Sequence, residues 1–181
     1  MLNDAWQEKA ICSIIVNYGH NWYDETENTT ITDFILDNTL ELLNYFDVEI
    51  YKKIMTEVSN LRLTGLKTSH AWFTSHDDSD IREFAVNALA TPYVYASWEK
   101  KEMFLQTQKM PDENYVRDAT NAILRLQLKK SKKVIDQLKQ FFENAQPEEQ
   151  DSEEYMLNVK VLQVVQNQRN ELAAKLGTVI Y

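Results

Sequence analysis

Three histidines, one cysteine and a scatter of carboxylates are the side chains here that could do chemistry. The densest group is His70, His76, Asp77, Asp78 and Asp80, whose types would suit a metal ion. No two of the histidines have the i, i+4 spacing that lets one helix face grip zinc. The same residues fit a capping-rich turn ahead of a helix, and that is the expectation for them. Cys12 would be the nucleophile of a thiol enzyme. It sits among Ile11, Ile14 and Ile15, however, where a free cysteine packs as a small hydrophobe. A single cysteine excludes an intrachain disulfide and a cysteine-based zinc site. Three glycines in the whole chain leave no glycine-rich phosphate loop and no G-x-S-x-G elbow. The expectation is therefore no catalytic residue, no cofactor and no metal ligand.

Charged and aromatic clusters suggest contact with partners. Lys129, Lys130, Lys132 and Lys133 form the one basic run, KKSKK. Such a run is a solvated helix face or a docking strip for an acidic surface. The acidic run EEQDSEE at 148–154 suits the first turn of a helix. Phe141 and Phe142 close one long periodic segment, and Tyr155 and Met156 open the next. With Lys175 and Tyr181 near the chain end, these four and the lysines make up the candidate partner-binding set. Trp72, Phe73, Tyr93, Tyr95 and Trp98 suit core or subdomain packing better than base stacking. The balance of 19 basic against 28 acidic residues gives −9, unfavourable for duplex nucleic acid. No apolar run approaches membrane-spanning length, and the N-terminus lacks a signal layout. Together these point to a cytoplasmic, soluble protein.

The elements that must position these residues read as helices. At 181 residues, 44% of them apolar, the chain suits one domain plus an appendage, with a real core. Gly19, Gly65 and Gly177 each follow a periodic run, as glycines in left-handed helix caps do. None of the three prolines interrupts a run. The periodicity predicts a helix over 4–18, with Asp4 and Gln7 as a capping box and Trp6, Ala10, Ile14 and Ile15 on one face that Cys12 and Val16 widen. The polar stretch 20–30 reads as a loop. Helices follow over 32–45 and 48–63, a short one over 69–74, and another behind Asp77 and Asp78. The stretch TPYVYASW at 91–98 is a loop or an extended segment with aromatic anchors.

After Pro111 two long helices are expected, over 112–144 and 149–176, the first roughly 50 Å long. Leu124, Leu128, Ser131, Ile135, Leu138 and Phe142 alternate spacings of 4 and 3. So do Tyr155, Val159, Leu162, Gln166, Arg169, Ala173 and Leu176. This is the rhythm of an antiparallel helical hairpin with a partly polar seam. The expected fold is all-α: a multi-helix bundle over 1–110, then a hairpin over 111–181.

Three segments resemble the C-terminal region of bacterial DnaG-type primases: WQEKAICSIIVNYG, WFTSHDDSDIREFAVNALATPYVYASW and RNELAAKLGTVIY. The resemblance implies a helicase-binding domain, a helical bundle followed by a hairpin. It would dock on the N-terminal domain of a DnaB-type replicative helicase and bring primer synthesis to the fork. The hairpin would do most of the docking, with no chemistry in this chain. The zinc and magnesium of a primase would belong to domains that this sequence does not contain. The implied protein is monomeric alone, with no direct contact to nucleic acid or membrane. The alternative from the residues is a self-associating adaptor that dimerises through the long hairpin. An enzyme using His70, His76 and the aspartates around a metal, and a single-strand-binding module, are the further readings.

Overall fold

The computed structural model describes residues 5–90, 111–146 and 152–177. The fold is all-α, a bundle of helices followed by a long helical hairpin, with one very small sheet. Helix α1 spans Ala5–Tyr18, α2 Ile31–Thr39, α3 Glu49–Leu63, α4 His70–Thr74 and α5 Ser79–Leu89. The hairpin helices are α6, Pro111–Asn144, and α7, Glu153–Leu176. Two compact units divide between Thr120 and Asn121, inside α6. The boundary expected at 110/111 adjoins residues outside the described ones, and Asp4, Tyr93, Tyr95, Trp98 and Tyr181 lie outside them.

In the first unit, apolar stripes converge on one core. Ile11, Cys12, Ile15 and Val16 of α1 are buried, as are Ile31, Ile35 and Leu36 of α2. Ile54, Met55 and Val58 of α3, Phe73 of α4, and Ile81 and Ala85 of α5 are buried too. The face of α1 is rotated from the expected one: Cys12, Ile15 and Val16 are buried as expected, but Trp6 is 77% exposed, Ala10 is exposed, and Glu8 lies fully inside. Tertiary hydrogen bonds decide that rotation. The Glu8 carboxylate accepts from the backbone N–H of Asp47 at 2.8 Å and of Val48 at 3.1 Å. Val48 is the N-cap of α3 and has no side-chain cap of its own. Glu8 therefore does from another helix what the acid of a capping box does locally.

Two other expectations are corrected. The loop at 20–30 contains a two-stranded antiparallel ribbon, β1 (Trp22–Asp24) with β2 (Thr29–Thr30), in register Trp22 to Thr30. Asp24 Oδ1 accepts from the N–H of Thr26 and of Glu27 in its turn, and Asn28 takes φ 52°. The helix expected over 32–45 ends at Thr39 and tightens into a 3-10 segment, Leu40–Tyr45, with no buried residue. At the start of α2, Thr30 and Asp33 form a reciprocal capping box.

Gly65 and Gly177 adopt the left-handed conformation, with φ 76° and 62°. Gly19 does not, and is small for another reason. An added Cβ would stand 2.3 Å from the Ile15 carbonyl oxygen and 2.5 Å from Thr32 Oγ1. Thr32 Oγ1 donates to the Gly19 carbonyl at 3.0 Å and pairs with Thr68 Oγ1 at 2.9 Å, so three segments meet there.

Candidate functional site

The hairpin carries most of the candidate partner-binding residues. Aromatic contacts join the end of α6 to the start of α7. Tyr155, at the start of α7, meets Phe142 edge-on with centroids 5.0 Å apart. It lies tilted at 6.3 Å from Phe141, and the two phenylalanines are themselves edge to face. All three are half-buried, so these rings join α6 to α7 and only in part face outward. Ser152 caps α7 by accepting from the Tyr155 N–H at 3.1 Å, which fixes where that ring begins.

The lysine run is not one solvated strip. Lys130 is 1% exposed and, like Lys133, engaged by its surroundings. Lys129 is half-buried and Lys132 exposed. A helix turns about 100° per residue, so four lysines in five positions cannot share a face. Ala119, Ala122, Ile123, Leu126 and Lys130 instead form a buried line along α6 beside the expected seam, within which Ile135 is also buried. Ser131 satisfies its hydroxyl locally by donating to the Gln127 carbonyl at 2.9 Å.

On α7 the half-buried line runs through Tyr155, Val159, Leu162, Arg169 and Leu176, with Ala173 buried. Gln166 is exposed, and its neighbour Val165 is half-buried in its place. The seam is thus more apolar at that point than the spacing suggested. The opposite side of α7 carries a second apolar line. Leu157 is 58% exposed, Val161 37% and Val164 55%, and Met156, on the flank of that line, is 56% exposed. Leu157, Val161 and Val164 follow the 4-3 spacing of a helix-packing stripe. Of these only Met156 was in the candidate set. The signal was present in the sequence, because VKVLQVV holds more apolar residues than a single stripe can use. Lys175 is exposed near the end of α7.

The residues capable of chemistry occupy the first unit. The Cys12 thiol is fully buried, 3.7 Å from the Tyr51 carbonyl, and burial pushes its pKa far up, with the Glu8 charge adding to the shift. It is a packed thiol and not a thiolate. His20 and His70 meet edge to face at 4.9 Å. His70 Nε2 donates to the Asn17 carbonyl at 3.0 Å, and burial with the neighbouring His70 lowers the His20 pKa. His76 stands apart from both. Its Nδ1 accepts from the Asp78 N–H at 3.1 Å, and Asp78 caps α5 by accepting from Asp80 and Ile81. Lys53 pairs with Asp78 and holds that carboxyl below the ordinary aspartate range. Among the described residues no three His, Cys, Asp or Glu side chains converge as metal ligands do. No helix there is long and apolar enough to cross a membrane.

Comparison with curated proteins and with solved structures finds no significant match. One family model matches residues 3–179, which include the capped bundle, the aromatic turn and both faces of α7. The chain belongs to the family described as Domain of unknown function (DUF8430).

Proposed function

We propose that this chain is a docking module that recruits a DnaG-type primase to the replicative helicase. Its hairpin would bind the helicase N-terminal domain. The observation that carries the reading is the outward stripe of α7, Leu157, Val161 and Val164, which presents helix-packing spacing to a second helix, with the exposed Met156 on its flank. The likeness of three segments to the primase C-terminal region supplies the partner. The reading assigns no chemical step to this chain. The basic contribution falls to Lys129, Lys132 and Lys175, since Lys130 is buried.

Calorimetric titration against the cognate replicative helicase, and against its isolated N-terminal domain, tests the proposal. Saturable binding to both is expected. Leu157→Asp with Val164→Asp should weaken it at least about tenfold while helix content by circular dichroism is retained, because both side chains are exposed. No heat at tens of micromolar with either titrant would refute the reading. The same 4-3 spacing also suits pairing of two α7 helices. A dimer by sedimentation equilibrium that the Asp pair dissolves, with no helicase binding, would install the self-associating adaptor instead.

A further inference from the structure

A cleft of about 370 Å³ opens between the C-terminal half of α3, the turn at Thr64–Leu66 and α4. Its walls are of two kinds. Trp72, Leu61 and Leu66 are apolar, and Leu66 is largely exposed. Glu57 and Asp77 bring two carboxylates, with His76 beside them. None of the lining residues is a lysine or arginine.

The rim is held in place by groups that do not enter the cleft. Ser69 accepts from the Trp72 N–H at 3.1 Å and so sets the first turn of α4. Phe73, buried in the core, anchors that helix, and Trp72 packs edge-on to Phe73 at 4.7 Å and to His76 at 5.0 Å. Arg82 donates to the backbone carbonyls of His76 and Asp77, fixing the strand of chain that carries the second carboxylate. Arg82 is engaged with those carbonyls, and Lys53 pairs with Asp78 while also feeling the Glu57 charge. His76 Nδ1 accepts a backbone N–H, so the neutral ring carries its hydrogen on Nε2, 4.0 Å from Glu57 and beyond hydrogen-bond reach. Among the described residues neither Glu57 nor Asp77 pairs with a lysine or arginine.

We infer that this cleft binds an organic cation, an ammonium or guanidinium group set between Glu57 and Asp77 against the Trp72 ring, with its apolar stem along Leu61 and Leu66. The volume lies within the usual range for small-ligand sites, about 300–1,000 Å³. An aromatic face and a carboxylate attract a cation by different means, ring quadrupole and full charge, and the two add. A neutral or anionic ligand would gain the apolar contacts without the charge attraction of Glu57 and Asp77. The cation can come from a free diamine or from a lysine or arginine side chain of another protein. The chemistry at the cleft is the same.

The test follows the Trp72 indole and the Glu57 and Asp77 amides by ¹H–¹⁵N NMR as the full chain is titrated with N-acetyl-argininamide, 1,4-diaminobutane and neutral N-acetyl-norleucinamide. The Trp72 resonance, one of four indoles, is assigned with Trp72→Phe. Saturable shifts at these three positions are expected with at least one cation and not with the neutral probe. Response to the argininamide alone identifies a protein side chain as the source, and response to the diamine alone a free amine. Glu57→Gln and Asp77→Asn should each weaken binding about three- to fivefold, as loss of one partly exposed charge contact does. Absence of shifts with both cations, equal response to the norleucinamide, or unchanged affinity in both variants would overturn the inference.

Discussion

Glu8→Gln isolates the most distinctive tertiary contact of the first unit. The Glu8 carboxylate is fully buried and answers two backbone donors, the N–H groups of Asp47 and Val48. An amide of the same shape keeps one acceptor and turns its NH2 toward the other donor. The loss is then one hydrogen bond to a charged acceptor plus a donor facing a donor. A hydrogen bond to a charged group contributes about 1.5–3 kcal/mol, so a decrease of about 2 kcal/mol in unfolding free energy is expected. For a chain of this length 1 kcal/mol moves Tm by roughly 2–4 °C, so Tm should fall by at least about 4 °C. Urea unfolding at 222 nm measures the free energy, with Lys9→Gln, on the exposed side of α1, as the control. Amide hydrogen exchange adds a local readout: Asp47 and Val48 should lose protection before the amides of α3. A Tm within about 1 °C of the parent, or an equal fall in Lys9→Gln, would refute the assignment of Glu8 as the cap of α3.

Gly19→Ala should destabilise by about 1–3 kcal/mol, because the new methyl meets the Ile15 carbonyl oxygen at 2.3 Å and a backbone atom cannot swing aside. Chemical denaturation reads it, and a neutral result would mean that the junction of α1, α2 and Thr68 is loose. Cys12 should resist a soluble disulfide reagent at pH 8 in the folded chain and react with one equivalent after unfolding, since burial keeps the thiol protonated. Prompt native labelling would contradict that burial. The His20 pKa lies below its ordinary 6.5 in the folded chain through burial and the adjacent His70. The unfolded chain therefore takes up the proton first, and stability that is full above pH 6.5 declines as pH falls through the interval beneath it. His20→Gln should flatten that part of a urea-midpoint profile, and an unchanged profile would remove His20 as the cause.

Much of the helical framework could be read from periodicity, because amphipathic burial and local capping act over a few residues. In α3 the sequence places Ile50, Ile54, Val58 and Leu61 at spacings of 4, 4 and 3; Ile54 and Val58 are buried with Met55 beside them, and Asp78 caps α5. What could not be read depends on partners far along the chain. The face of α1 turned because a buried carboxylate at position 8 met amides 39 and 40 residues away. No local pattern marks an acid for burial, and Trp6 looked like the better core residue. Gly19 illustrates the same limit. Its position after a helix suggested a left-handed cap, whereas the structure requires room for Thr32 and Thr68, both brought there by folding. The 3-10 segment at Leu40–Tyr45 follows a run that has apolar residues enough for a helix but buries none of them.

The hairpin poses the sharper question of why α7 is apolar on two sides. A helix that packs on a single partner needs one stripe, and the rest of its surface carries polar groups. Here the half-buried line meets that need, with Tyr155 closing on Phe141 and Phe142 at the turn. Leu157, Val161 and Val164 are left over, more than one-third exposed and spaced for a second helix. Isolated exposed hydrophobes are ordinary, but a periodic line of them on one face favours association. Their removal separates stability from binding. Replacing exposed residues should alter folding by no more than about 0.5 kcal/mol, so a large loss of affinity in Leu157→Asp with Val164→Asp would belong to the interface. If those changes instead melted the hairpin, the stripe would be part of the fold and the docking reading would lose its main support.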